Sequence, residues 1–150
     1  MKKIFFDTLF WLSWPASWLY LRGSTRSRVL LAYKDQAVGV KGWLGEKGWG
    51  LPGGGMHKGE NPKQGAIREV REELGIKLNS KQLKELGKHD YKHRGLSYSY
   101  YAFAISLASQ PKLKTHSLEI RRAAWLPMSE IYTSGEPDVR TVLDAWRATE

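Results

Sequence analysis

Apolar positions along this chain follow two rhythms. Short runs rich in aliphatic and aromatic residues at 29–33 and 37–44 predict two strands, with Lys34, Asp35 and Gln36 turning between them. Further strands are predicted at 84–93 and 98–107, and a short one at 123–126. Two other stretches repeat at helical spacing. In the first, Ala66, Ile67, Val70 and Leu74 make one stripe. Asn61 suits its N-cap, Pro62 its first position and Gln64 a capping box, and Gly75 stops it. In the second, beginning near Asp138, Val139, Val142, Leu143 and Trp146 share a side. A glycine-rich loop at 45–55 leads into the first helix. Strands interspersed with two or three helices predict a mixed sheet with helices on both faces, although this pattern alone leaves α+β open.

Candidate chemistry lies on the first helix. Glu69, Glu72 and Glu73 sit at i, i+3 and i+4, on a side centred about 120° from the apolar stripe. Like charges so spaced destabilise a helix by roughly 0.2–0.5 kcal/mol per pair, and a cation held between them reverses the sign. Without its context this stripe reads as an ordinary solvated face, neutralised by Arg68 and Arg71. The context is Gly54, Glu60, Arg68-Glu69-Val70, Glu72-Glu73 and Gly75-Ile76, whose spacing matches the Nudix box at every defined position. The chain therefore resembles the Nudix hydrolases. Trp49-Gly50-Leu51-Pro52-Gly53 and Trp125-Leu126-Pro127 are also similar to that family.

The resemblance implies an α/β class fold, the Nudix-type α/β/α sandwich with a mixed sheet. It implies an enzyme that hydrolyses a diphosphate linkage in a nucleoside diphosphate derivative with a divalent metal. Mg²⁺ is expected, with Mn²⁺ as the alternative, because an all-oxygen donor set suits hard cations. The implied metal ligands are Glu69 and Glu73, both expected to face solvent in a cleft, then Glu72, the Gly53 carbonyl and Glu119. Glu69 is the first choice of general base and Glu72 the second, with Glu119 as an auxiliary acid or simply a surface residue beside Arg121 and Arg122. Arg68 is expected to orient a helix carboxylate, and Glu60 to tie the loop to the helix. Trp49, Gly54 and Tyr91 are the substrate-binding candidates, with Trp43, Tyr98, Tyr100 and Tyr101 as other aromatics able to stack on a base or to fill the core. His57, His89, His93 and His116 lack metal-ligand spacing, though His89 or His93 is a candidate to line the pocket. The other reading is a non-catalytic module that holds a nucleotide or RNA on the same fold, for which the intact carboxylate set is unnecessary.

Composition narrows this picture in three respects. With 41% apolar residues among 150, one domain with its own core is expected. The absence of cysteine excludes a disulfide scaffold, a thiolate zinc site and a cysteine nucleophile, and suits a cytoplasmic protein. A formal charge of +9 reads equally as a basic surface without a dedicated partner or as attraction for polyanions, among them a nucleotide-type substrate, an RNA 5′ end or an acidic lipid surface. Residues 1–20 stand apart as an apolar, aromatic extension, expected to be helical, from a domain at 21–150. Asp7 and Pro15 interrupt its apolar run, which falls short of the ~20 residues a spanning helix needs. A helix packed on the domain or a partner is the first expectation. Peripheral membrane contact through Trp11, Trp14 and Trp18 is the second, and a signal or anchor the third.

Overall fold

The computed structural model describes residues 24–42, 47–115 and 117–150. The expected N-terminal helix, with its tryptophans, lies outside the described residues, as do Trp43 and His116. Among the described residues no helix is long and apolar enough to cross a membrane.

Five strands form one mixed sheet: β1 (Thr25–Tyr33), β2 (Gln36–Gly42), β3 (Lys84–His93), β4 (Leu96–Ser106) and β5 (Ile120–Pro127). Their order is β3-β4-β1-β2-β5, and β1 with β4 is the parallel pair. Helix α1 (Pro62–Leu74) lies against one face; α2 (Met128–Ser134) and α3 (Pro137–Arg147) lie against the other. The central strand is therefore buried on both sides and reads as a continuous apolar run, Val29-Leu30-Leu31-Ala32, with no alternation. Val29, Leu31, Val38 and Phe103 meet Ala66, Val70 and Leu74 of α1. Leu30, Tyr100 and Ala102 meet Ile131 of α2 and Val139, Val142 and Leu143 of α3.

Helix α1 begins and ends where its residues direct. Asn61 Oδ1 accepts from Lys63 N at 3.0 Å, one position earlier than a capping box requires. Gly75 takes the left-handed conformation and donates to the Arg71 carbonyl at 2.9 Å. Helix α2 is absent from the sequence-based expectations because its seven residues bury only Ile131, too little to show a helical period.

Strands β1 and β2 pair only beside their turn, at Ala32↔Ala37 and Tyr33↔Gln36, and then part. The glycine-rich loop fills the gap between them. Val40 and Gly50 exchange both backbone hydrogen bonds at 2.9 Å on the β2 side. On the β1 side, Val29 N donates to Pro52 O and Ser27 N to Gly54 O, each at 2.8 Å, and Met56 N donates to Thr25 O at 3.1 Å. What the sequence presents as a loop is thus hydrogen-bonded on both margins, much like a short sixth strand.

Candidate active site

Helix α1 brings its carboxylates against the inserted loop. Glu73 is only 4% exposed, and its Oε2 accepts the Gly53 N–H at 2.9 Å. This corrects the expectation that the acidic side of the helix faces solvent. The wheel positions hold, but the loop, docked on β1, closes over the Glu73 end of that side. Gly53 has φ of +144°, and a Cβ there would lie 2.1 Å from the Ser27 carbonyl oxygen. A Cβ on Gly54 would lie 2.6 Å from the Glu69 carboxylate. Each glycine therefore permits a close approach, Gly53 to the strand backbone and Gly54 to a candidate catalytic side chain.

Arg68 is the hub of the acidic side. Its Nε and Nη2 donate to Glu60 Oε1 and Oε2 at 2.8 and 3.1 Å, a bidentate fork. Its Nη1 donates to Glu69 Oε1 at 2.9 Å and to Glu72 Oε2 at 3.1 Å, and its Nη2 also reaches the Gly55 carbonyl at 3.0 Å. Glu60 Oε2 accepts the His57 N–H at 2.9 Å, so one guanidinium joins loop and helix. The hydrogen bond from Arg68 holds the Glu60 carboxyl down at about 2. Burial has the opposite effect on the other pair. It pushes Glu73 up to about 8, only partly offset by the Gly53 N–H. It also raises Glu69, despite Arg68, with repulsion from Glu72 and Glu119 adding to the rise.

Two desolvated carboxylates one helical turn apart, both resisting ionisation, are a donor set that a hard divalent cation fits. Among the described residues no three acidic or imidazole side chains converge as a finished metal centre. Arg68 holds Glu69 and Glu72, while Gly53 holds Glu73, so the carboxylates are gathered but each is already engaged. Glu119 stays exposed at the foot of β5, close enough for its charge to act on Glu69 and Glu73. Glu72 is also exposed.

The aromatic candidates Tyr91, Tyr98, Tyr100 and Trp49 are buried. Tyr91 is buried and stacks on Tyr98 with ring centroids 4.6 Å apart, so its faces belong to the core between sheet and α3. His89 is occupied by the Leu86 carbonyl and the Tyr100 ring, and His93 meets the edge of Tyr91. Trp49 is buried as well, packed toward Gly39 and roofed by the Lys41 ammonium at 4.7 Å and the Arg122 guanidinium at 5.5 Å from its ring centre. Tyr91 and Trp49 are thus both buried, in keeping with the core-filling alternative for these aromatics. The basic pair over Trp49 went unnoticed in the sequence: Lys41 and Arg122 are direct cross-strand partners on β2 and β5. Like charges so placed are unfavourable by a few tenths to about 1 kcal/mol, a cost that an anion between them removes.

Two consequences are measurable. Gly54→Ala meets the movable end of Glu69, so it costs under about 1 kcal/mol of stability while displacing that carboxylate and cutting turnover at least about tenfold. Gly53→Ala meets backbone in a conformation alanine resists, and destabilises by about 2 kcal/mol or more. Urea unfolding and steady-state kinetics on both variants check this contrast. The second consequence concerns pH. Because the folded pKa of Glu73 lies above the unfolded carboxylate value, its contribution to the stability of chelator-treated protein is complete below about 4.5. That contribution falls away as pH rises through about 8, by no more than about 1.4 kcal/mol per unit. Subtracting the Glu73→Gln profile from wild type isolates it; identical profiles would show that Glu73 does not titrate this way.

Comparison with known proteins agrees with this geometry. A family model described as the NUDIX domain matches residues 18–146. The mRNA decapping complex subunit 2 of Schizosaccharomyces pombe is 34% identical over 100 residues, covering 66% of this chain and 13% of that protein. An RNA pyrophosphohydrolase of Brucella anthropi is 30% identical over 101 residues, covering 55% of this chain and 58% of that one. The chain thus spans less than two thirds of either relative. Among solved structures, a MutT NUDIX hydrolase from Burkholderia pseudomallei superposes with a TM-score of 0.71 at 18% identity, covering 82% of this chain and 97% of that one. A NUDIX hydrolase from Nitrosomonas europaea gives 0.70 at 23% identity, covering 85% and 90%. With its box, its split sheet and the family match over most of its length, the chain belongs to the NUDIX domain family.

Proposed function

We propose that this chain is a metal-dependent pyrophosphohydrolase acting on a diphosphate linkage in a nucleoside diphosphate derivative. The observation that carries the reading is the buried Glu73 carboxylate held on the Gly53 loop, one turn from Glu69. A structural helix face has no need to bury such a group. A bound Mg²⁺ or Mn²⁺ would supply positive charge at the phosphoryl group and lower the pKa of an attacking water. Glu69, Glu73 and the Gly53 carbonyl are the residues to hold it, with Glu72 and Glu119 as outer or water-mediated contacts. Glu69 takes the proton of the water, and Glu72 is the second choice. A new oxygen–phosphorus bond forms, the anhydride bond opposite it breaks, and the departing phosphate oxygen keeps the electron pair. Arg68 keeps Glu69 aimed, and Lys41 with Arg122 offers charge to the phosphates.

Similarity to an mRNA decapping subunit and to an RNA pyrophosphohydrolase supports an RNA 5′ end as the favoured specific substrate, and the +9 charge with the basic pair is consistent with it. A smaller nucleotide uses the same machinery. A binding-only module is the less economical reading, because holding an RNA end does not call for two desolvated carboxylates.

The test is a phosphate-release screen over nucleotides, dinucleotides and 5′-triphosphorylated RNA with Mg²⁺, Mn²⁺ or chelator. Metal-dependent release is expected, with Glu69→Gln lowering kcat by about two orders of magnitude or more. Arg122→Gln is expected to raise KM several-fold, about 1 kcal/mol of lost phosphate attraction, with kcat little changed. Undiminished turnover in Glu69→Gln, or release in chelator, contradicts the proposal.

A further inference from the structure

On the side of the sheet away from α1, a buried ion pair joins two segments far apart in sequence. Arg28 of β1 donates from Nε to Asp138 Oδ2 at 2.7 Å, with side-chain exposures of 11% and 0%. Its Nη2 donates to the Tyr98 hydroxyl at 2.9 Å and its Nη1 to the Ser27 carbonyl at 3.0 Å. An ion pair is a poor way to gain stability at such a place, because desolvating both charges offsets most of their attraction, and an apolar pair of similar volume holds a helix on a sheet as well or better. Among the described residues Asp138 Oδ1 even stays buried without a hydrogen-bond partner. What the guanidinium offers and an apolar side chain does not is a rigid planar fork that fixes several acceptors in relation to one another.

One of those acceptors leads to the active-site loop. The Ser27 carbonyl gripped by Arg28 is the group lying directly beneath Gly53, close enough to forbid a Cβ there. The Ser27 N–H donates to the Gly54 carbonyl at 2.8 Å, and its buried hydroxyl faces the Gly54 N–H at 3.5 Å. Gly53 in turn donates to Glu73. The start of the same loop is held by the corner that introduces Asp138: Trp49 N donates to Ser134 O at 3.3 Å, and Glu136 N to Trp49 O at 2.8 Å.

We infer that Arg28 and Asp138 are positioning residues, which set the height and tilt of the Gly53–Gly54 backbone, and through it the Glu73 carboxylate, from the opposite face of the sheet. Neither side chain hydrogen-bonds to the helix carboxylates, although the Arg28 charge acts on Glu73. They act through Ser27, so the C-terminal corner between α2 and α3 is part of the active-site framework. That the loop is catalytic rests on the function proposed above, whereas its backbone support does not.

Amide hydrogen exchange, read residue by residue by NMR on the metal-free full chain, separates positioning from general stabilisation. In Asp138→Asn the Gly53 and Gly54 amides should exchange faster by at least about tenfold relative to the Val70 and Phe103 amides of the core, the scale of one charge-assisted hydrogen bond lost. Mn²⁺ binding followed by electron paramagnetic resonance should weaken alongside, with no substrate needed. Should Asp138→Asn not fold, Tyr98→Phe removes only the hydroxyl from the Arg28 fork and should give the same local pattern at about threefold. Uniform acceleration across loop and core would make the pair merely structural and overturn the inference, as would unchanged exchange at Gly53 in a folded variant.

Discussion

One hydrogen bond, from the Gly53 N–H to the buried Glu73 carboxylate, ties the three parts of this molecule that matter to its chemistry. It joins helix α1 to the inserted loop, and the loop to β1, which lies beneath it. A carboxylate almost closed off from water is an expensive feature, and burial raises its pKa to about 8. The fold offers it one backbone donor but sets Glu69 a turn away, whose charge raises it further, while burial raises the proton affinity of Glu69 itself. Both groups are thereby left poorly satisfied in the metal-free protein. That is the physical sense in which the site is built to receive positive charge.

Arg68 provides that charge in the present arrangement. It neutralises Glu69 and Glu72 while holding Glu60 firmly ionised, and its contact with Gly55 anchors the loop on the helix. The division of labour is clear from geometry. Glu60 is held by Arg68 and by the His57 N–H, Glu73 by the loop, and Glu69 is shared between them, lying against Gly54 with one oxygen on the guanidinium. Of the three carboxylates on the acidic side, Glu69 is the one positioned to exchange partners without disturbing the framework.

The sequence revealed this site unevenly, and for physical reasons. Local signals carried through well. The spacing from Gly54 to Ile76 identified the family, Pro62 and Gly75 bounded α1, and the pattern at 84–93 matched β3 end to end. Signals that depend on distant pairing did not. A helical wheel shows which side Glu73 occupies, but the loop that covers it lies 20 residues back and docks on β1 a further 23 to 31 residues back. Tyr91 and Trp49 stayed open between core and substrate because a single sequence shows neither the Tyr98 stack nor the cross-strand meeting of Lys41 and Arg122. The Arg28–Asp138 pair spans 110 positions and has no local signature at all. Only the register of the folded sheet brings it into view.

The central claim is that loop and helix together form a cation site whose ligands are Glu69, Glu73 and the Gly53 carbonyl. Anomalous diffraction from crystals grown with Mn²⁺ tests this most directly, since it locates the metal without reference to any substrate. The expected result is a Mn²⁺ peak bonded to carboxylate oxygens of Glu69 and Glu73 and to the Gly53 carbonyl, with Glu69 Oε1 drawn away from Arg68. A peak elsewhere, or none at saturating Mn²⁺ with Glu73 still closed onto Gly53, would contradict it.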